Sequence, residues 1–346
     1  MATVQELLSR LVEHDDLSAE ETAAVMDQVL TDNASPVVMG AFLAALRVKR
    51  ETPEEVAGLA AAMLQHAVRI EVPGRTVDIV GTGGDGFNTV NITTMAALVT
   101  AGAGLTVVKH GNRGATSLSG SADVLSELGV RLDLAPERVA ELATEVGITF
   151  CFAQVFHPAM RFTMPIRKEL GIPTTLNILG PLTNPAQPQA SAIGSSSLRV
   201  SPVLAGVLLQ QNREGLVFHS DDGLDELSAT AAASMWEVRG DGVTELRLDP
   251  SADLGLERIT IEDIRGGDAA ANARVVREVL AGRGGAARET VLLNAAGAMV
   301  ADGTLQGTSS GTITERFAAA LLHAAASVES GAAADVLDRW VAASAA

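Results

Sequence analysis

Apolar residues recur along this chain at two different spacings. Over the first 70 residues the spacing is helical, with Val56, Leu59, Ala60, Met63, Leu64 and Ala67 falling on one face. Ser18 with Glu21 and Thr52 with Glu55 have capping-box spacing, and Pro36 and Pro53 stand at first-turn positions. These signals predict helices only. From Val77 onward, short apolar runs at 77–80, 105–108, 148–153 and 216–219 alternate with helical patterns at 136–146 and 202–212. That alternation predicts a largely parallel sheet with helices on its faces. Runs at 235–238 and 243–248, joined through Gly240-Asp241-Gly242, predict an antiparallel hairpin, and the Ala-rich tail from Thr314 reads as helical.

Residues 158–190 interrupt the alternation with six prolines, at 158, 165, 173, 181, 185 and 188. Such punctuation predicts a crossing between lobes, or a hinge. The expected organisation is a helical lobe over 1–72, joined by parts of 158–190 to a larger α/β lobe made of 73–157 and 191–346.

Composition narrows the possible partners. Aromatic residues make up 3% of the 346 residues, with no Tyr, so the core is expected to be aliphatic. The net charge of −17 repels a phosphate backbone at long range, and no Lys/Arg run relieves it, so a nucleic-acid role is not expected. The single cysteine, Cys151, excludes an intrachain disulfide and a Cys-based zinc site. Glu6, Glu13, Asp15 and Asp16 interrupt any signal-like N-terminus, and the longest uncharged stretch, 86–108, carries Asn88, Asn91 and several Thr. No membrane span is read, and the composition is compatible with cytoplasm.

Four constellations carry chemistry. Gly81-Thr-Gly-Gly-Asp-Gly86 follows the run at 77–80, and its glycines can take positive φ so that successive N–H groups turn toward phosphoryl oxygens. A helix expected over 90–101 would present its N-terminus to the same anion. The loop lacks the Lys-Ser/Thr ending of a P-loop and the spacing of the dinucleotide fingerprint. Asp85, Thr89, Asn91, Thr93 and Thr94 give it more polar groups than a bare turn uses. Lys109-His-Gly-Asn-Arg113 follows the run at 105–108, where ligands bind in open α/β sheets, and Thr116, Ser117, Ser119 and Ser121 extend it as a second phosphate loop. Asp221-Asp-Gly-Leu-Asp-Glu226 follows the run at 216–219; adjacent carboxylates there suit Mg²⁺, although acidic turns are also ordinary on an acidic surface. His157-Pro-Ala-Met-Arg161 and Arg167 lie in the Pro-rich segment, where a buried Arg calls for an acidic side chain or a substrate carboxylate. No Ser-His-Asp arrangement or His-Glu-x-x-His helix is found, so positioning and charge stabilisation are expected to carry the chemistry.

Taken in order, these segments resemble the anthranilate phosphoribosyltransferase family. The resemblance rests on 81–86, Asn91-Ile-Thr-Thr, Lys109-His-Gly-Asn-Arg, Ser119-Gly-Ser-Ala-Asp-Val-Leu, His157-Pro-Ala-Met, Pro165-Ile-Arg-Lys-Glu-Leu-Gly, Asn177-Ile-Leu-Gly-Pro-Leu-Thr-Asn-Pro and Asp222-Gly-Leu-Asp-Glu. It implies a nucleoside phosphorylase/phosphoribosyltransferase-like fold with the site in the interlobe cleft. It also implies a cytoplasmic homodimer formed through the helical lobe, with small-molecule substrates. Carried over by position, phosphoribosyl pyrophosphate would contact Gly81, Gly84, Asp85, Thr89, Asn91, Ile92, Thr93, Thr94, Lys109, His110, Gly111, Asn112, Arg113, Gly114, Ala115, Thr116, Ser117 and Ser121. Anthranilate would meet Gly81, His110, Asn112, His157, Met160 and Arg167, and Mg²⁺ would be held by Thr93, Asp225 and Glu226. Lys109, Asn112 and Arg167 would carry the catalytic roles. Met160, Thr174 and Thr116 depart from residues common in the family. A pyrimidine nucleoside phosphorylase looks similar in fold, but its Lys and Ser phosphate pattern is missing here. A non-catalytic, nucleic-acid-binding relative is the other alternative, and the charge opposes it.

Overall fold

The computed structural model describes residues 2–114 and 117–346; Ala115 and Thr116, both expected phosphate-loop contacts, lie outside the described residues. Four helices open the chain: α1 (Val4–Val12), α2 (Ala19–Leu30), α3 (Pro36–Lys49) and α4 (Pro53–Gln65). The capping boxes at Ser18/Glu21 and Thr52/Glu55 both form, and a third caps α1 through Thr3 and Glu6. Glu55 does more than cap. Its side chain is fully buried and accepts from the N–H groups of Leu17 (3.0 Å) and Thr52 (2.8 Å) and from Lys49 Nζ (2.9 Å). It thereby ties the entry to α2 and the end of α3 to the start of α4. Gly58 of α4 lies so close to the Ala19 carbonyl that a side chain would overlap it.

The α/β portion runs β1 (Thr76–Gly81), α5 (Ile92–Gly102), β2 (Thr106–Gly111), α6 (Ser121–Leu128), α7 (Pro136–Val146) and β3 (Ile148–Phe152). The short α8 (Ala153–Phe156) leads into the Pro-rich crossing, which holds α9 (Met164–Leu170) and three single 3-10 segments. The chain returns as β4 (Ala190–Gly194), α10 (Ser201–Gln210), β5 (Glu214–Ser220) and the hairpin β6 (Ala233–Arg239) and β7 (Gly242–Leu248). It closes with α11 (Pro250–Leu254), α12 (Ala269–Leu280), α13 (Ala286–Asp302), α14 (Ile313–Glu329) and α15 (Ala332–Ala345). Among the described residues no single helix is long and apolar enough to cross a membrane.

The sheet has seven strands in the order β3-β2-β1-β4-β5-β6-β7, parallel from β3 to β5 and antiparallel from β5 to β7. After β1 the chain builds outward to β2 and β3; β4 then pairs with the other side of β1. The carboxyl ends of β1 and β4 therefore frame the topological switch point, where connecting loops diverge and leave a crevice.

Side chains alternate across the sheet. Val77, Ile79, Val107, Ala192, Leu216 and Phe218 share one core with α5, α13 and α14, whereas Val80, Ile193, Val217 and Trp236 join a second core with α10 and α4. Ile166, Leu176, Leu179 and Leu182 of the crossing belong to that second core. The crossing is therefore packed against both the helices and the sheet.

Three expectations change. β4 begins at the last residue of the Pro-rich crossing and carries no predicted strand, because Ala-Ser-Ala-Ile-Gly has one strong strand former; all five of its residues are buried, and α13 packs across it. Lys109, His110 and Gly111 lie inside β2 and do not follow it, since the ladder to β3 extends to Gly111↔Phe152. The helix expected over 90–101 starts at Ile92, because Val90 instead gives its N–H to the Ile264 carbonyl (3.0 Å).

Glu55→Ala leaves two backbone N–H groups buried without their acceptor and Lys49 with Asp16 alone, and is expected to cost about 3 kcal/mol. Urea unfolding monitored by circular dichroism measures it; a midpoint unchanged from wild type would show that this carboxylate does not hold the helices together.

Candidate active site

Three loops converge at the ends of β1, β2 and β5. The first begins at Gly81, whose reason for being glycine differs from the one expected. Positive φ occurs at Gly83, Gly84 and Gly86, but Gly81 is an extended strand residue. Its constraint is steric: a side chain there would overlap the Asp225 carboxylate, and one at Gly194, the end of β4, would overlap the Asp225 carbonyl. The acidic loop thus rests directly on the two strand ends at the switch point. Gly83 N–H donates to Asp225 Oδ2 (2.6 Å), and Ser196, just beyond β4, braces the glycine loop by donating to the Gly83 carbonyl (2.9 Å). Gly194 and Ser196 carried no motif that could have singled them out.

Within the acidic loop the carboxylates divide. Asp221 pairs with Arg247, and Asp222 accepts from Leu224 N–H (3.2 Å) to shape the turn. Asp225 and Glu226 are buried and point inward, where Asp85 of the glycine loop joins them; one oxygen from each lies within 4.8 Å of the others. Asp85, expected as a phosphoribosyl contact, therefore also completes a carboxylate triad. Burial, then the charge of Asp85, pushes Asp225 up to about 7. Burial, then the neighbouring carboxylates, raises Glu226 well above its usual range, with Lys109 pulling back. Glu226 Oε2 has no protein partner. Three crowded carboxylates, two of them buried and one with an oxygen unused among the described residues, are an all-oxygen donor set that fits a hard divalent cation.

Lys109 lies behind the glycine loop, 2% exposed, with Nζ donating to the Ile79 carbonyl (2.5 Å) and to Thr93 Oγ1 (3.2 Å). Burial lowers it to about 8, opposed by Asp78, Glu226 and Asp225. Thr93, expected as a metal ligand, shares its hydroxyl with this ammonium, while the hydroxyls of Thr94 and Ser119 are buried with no partner among the described residues. The second loop is held by Asp123, which accepts from Gly114 N–H and Gly120 N–H (both 2.9 Å) and from Arg113 (2.8 Å). Burial pushes Asp123 up, but those three donors outweigh it and leave it lowered. Arg113 is thus already paired. Asn112 is exposed, with Oδ1 accepting from Arg113 N–H (2.8 Å), and Ser121 opens α6.

The crossing supplies the third wall. His110 and His157 face one another with ring centroids 5.1 Å apart. His110 Nδ1 donates to the Gly180 carbonyl and His157 Nε2 to the Thr183 carbonyl, each at 2.9 Å. A carbonyl only accepts, so these bonds fix both tautomers and leave His110 Nε2 and His157 Nδ1 as unpartnered acceptors. Burial lowers His110 to about 4 and His157 to about 3, so both rings are neutral near pH 7. Met160 is half-buried against the second core. Arg167, half-buried on α9, makes no ion pair among the described residues, and burial alone lowers it. Of the two partners expected for it, the acidic side chain is not there.

Residues 73–334 match the family described as "Glycosyl transferase family, a/b domain", and residues 5–67 match "Glycosyl transferase family, helical bundle domain". An anthranilate phosphoribosyltransferase of Arthrobacter sp. (strain FB24) is 56% identical over 97% of this chain and 94% of its own. The solved anthranilate phosphoribosyltransferase of Thermus thermophilus superposes with a TM-score of 0.89 at 40% identity, covering 98% of this chain and 99% of that one. The Saccharomyces cerevisiae enzyme, solved with phosphoribosyl pyrophosphate and Mg, gives a TM-score of 0.88 at 28% identity over 99% and 98% of the two chains.

The raised carboxylates make a pH-dependent expectation. Between an unfolded carboxyl value of about 4 and the folded value of about 7 for Asp225, the metal-free native state binds more protons than the unfolded chain. Its stability therefore falls as pH rises through that window. A bound cation relieves the repulsion that remains above it, so Mg²⁺ should raise the unfolding temperature more at about pH 8 than at about pH 6. Asp225→Asn should shrink the difference, and equal Mg²⁺ shifts at both pH values would refute the triad as the cation site.

Proposed function

The chain belongs to the anthranilate phosphoribosyltransferase family, and from that membership we propose how its residues divide the work. The enzyme transfers the phosphoribosyl group of 5-phosphoribosyl 1-pyrophosphate to the amine of anthranilate, releasing pyrophosphate, in a Mg²⁺-dependent step of tryptophan biosynthesis. The helical lobe comprises 1–72 with parts of 158–190, and the α/β lobe comprises 73–157 and 191–346. The matched segments at 5–67 and 73–334, and the packing of α9 on α3, support this division.

The observation that carries the site reading is the union of the glycine loop with the acidic pair at the switch point. Gly81, Gly84, Thr89, the 91–94 turn and the 109–121 loop bind the phosphoribosyl pyrophosphate, with the partnerless hydroxyls of Thr94 and Ser119 available to its oxygens. Asp225, Glu226 and Asp85, with Thr93 beside them, hold Mg²⁺, which supplies positive charge against the departing pyrophosphate. Lys109 acts from behind the loop, its ammonium offsetting the carboxylates and polarising Thr93. Arg167 pairs with the anthranilate carboxylate, since it alone of the half-buried cations on this wall lacks an anion; Asn112, the neutral imidazoles and Met160 line the rest. The aromatic amine is neutral near pH 7, so no base is needed to create the nucleophile. The barrier lies in expelling pyrophosphate from ribose C1 through a transition state of oxocarbenium character. Water competes for that cation, and approach of the lobes would exclude it.

The enzyme acts as a homodimer through the helical lobe. Val12 of α1, Val37 and Val48 of α3 and Met164 of α9 are exposed apolar side chains on mutually packed helices, and they support this reading. A cytoplasmic location follows from the substrate, a polyanion that does not cross membranes unaided.

Arg167→Ala should raise KM for anthranilate by roughly 10²-fold and leave that for phosphoribosyl pyrophosphate within about twofold, whereas Asp225→Asn should do the reverse. Following the loss of anthranilate fluorescence measures both; identical defects would sink the division of roles. Val37→Asp should convert the dimer to monomer in light scattering on a sizing column, and an unchanged mass would remove α3 from the interface.

A further inference from the structure

Asn91, at the N-terminus of α5, commits one lone pair and one N–H of its side-chain amide to partners within the protein. Its Oδ1 accepts from Asn272 Nδ2 (2.7 Å), and its own Nδ2 donates to the Ser119 carbonyl in the second phosphate loop (3.1 Å). Asn272, on α12 and 2% exposed, in turn accepts from Gly267 N–H (2.8 Å). The ends of this chain remove any ambiguity in how the amides are turned. A backbone N–H can only donate and a carbonyl can only accept, so both amides are oriented by the groups that terminate the relay.

Around the relay, backbone bonds fasten the same segment to the glycine loop. Val90 N–H reaches the Ile264 carbonyl (3.0 Å), Gly266 N–H reaches the Asn88 carbonyl (2.8 Å), and Thr89 bridges Arg265. The link to the second loop is thinner. Among the described residues it consists of Asn91 to Ser119 and of Leu118 N–H to Asn88 Oδ1 (3.3 Å). The distance between the two phosphate loops thus depends on an amide whose orientation is set from α12.

We propose that Asn272 is a positioning residue for phosphoribosyl pyrophosphate, acting through Asn91 to hold the two phosphate loops at the spacing that one ligand must span. The inference rests on the functional reading above, in that both loops contact this substrate. Asn272 touches no substrate and takes no part in the bond-making step. Losing it leaves the Asn91 amide free to turn, and Ser119, whose own hydroxyl is buried and partnerless, loses its tether.

The test compares Asn272→Ala, Asn91→Ala and the double variant. Isothermal titration with phosphoribosyl pyrophosphate and Mg²⁺ is run beside steady-state kinetics. Asn272→Ala should weaken phosphoribosyl pyrophosphate binding and raise its KM by about tenfold, leaving KM for anthranilate at saturating co-substrate unchanged. The double variant should be no worse than Asn91→Ala alone, because both break one relay. Asn272→Asp, isosteric and still able to accept from Gly267 N–H, should reproduce the alanine effect and serves if the alanine variant does not fold. Wild-type affinity in Asn272→Ala or Asn272→Asp, a lowered unfolding temperature with unchanged KM, or additive effects in the double variant would each overturn the relay. Wild-type protein that binds phosphoribosyl pyrophosphate but does not consume anthranilate would instead overturn the functional reading and leave the binding test intact.

Discussion

The contact on which the site depends is the seating of Asp225 on the ends of β1 and β4. Its carboxylate occupies the space a side chain at Gly81 would fill, and its carbonyl the space above Gly194. These parallel strands are adjacent because the chain, after building outward from β1 to β3, adds β4 on the other side of β1, so that the strand order reverses there. The reversal opens the crevice, and the two glycines let an acidic loop drop into it. From there Asp225 receives Gly83 N–H, which draws the glycine loop over the strand ends and brings Asp85 to the other carboxylates. A methyl group at either glycine would lift the acidic loop and separate the phosphate cradle from the cation site.

The resulting charge pattern is unbalanced in a purposeful direction. Three carboxylates share a dry corner with one ammonium, so the metal-free site holds protons that a cation would replace. Across the cleft, Arg167 is partly desolvated with no anion, and two neutral imidazoles present bare nitrogens. Elsewhere most buried charges are neutralised: Glu55 by Lys49, Glu237 by Arg316, and Asp302 by Arg75. Asp225 and Glu226 are exceptions that their crowded corner leaves open to a cation, while Arg213 and Asp78 are buried with neutral hydrogen-bond partners among the described residues.

Much of this frame was legible because its signals are local. The capping boxes, the helix at Pro136–Val146 and the hairpin closed by Gly240-Asp241 each lie within a few residues, and the structure keeps them. The acidic pair and both glycine-rich loops were legible as motifs. What escaped depends on contacts between distant segments. β4 has too few branched residues to announce a strand, and its identity comes from pairing with β1 and β5. Gly81 reads as a flexible turn residue because nothing nearby in the chain reveals that Asp225 will lie against it. Asn272 carries no motif, and its partner is 181 positions away.

The placement of the cations also bears on which acceptor the cleft suits. A phosphorolytic relative would need a second anion site for free phosphate near the sugar, met by a paired Lys and Ser. Here Lys109 is turned behind the loop toward the Ile79 carbonyl, and Arg167, half-buried and without an ion pair among the described residues, stands on the crossing. On the proposed assignment, an acceptor that brings its own carboxylate would satisfy Arg167, which makes no ion pair among the described residues. The crossing packs into the core shared by α4, α10 and the sheet, so the position of Arg167 is coupled to both lobes. The segment that carries Arg167 is thus also the segment that joins the two halves.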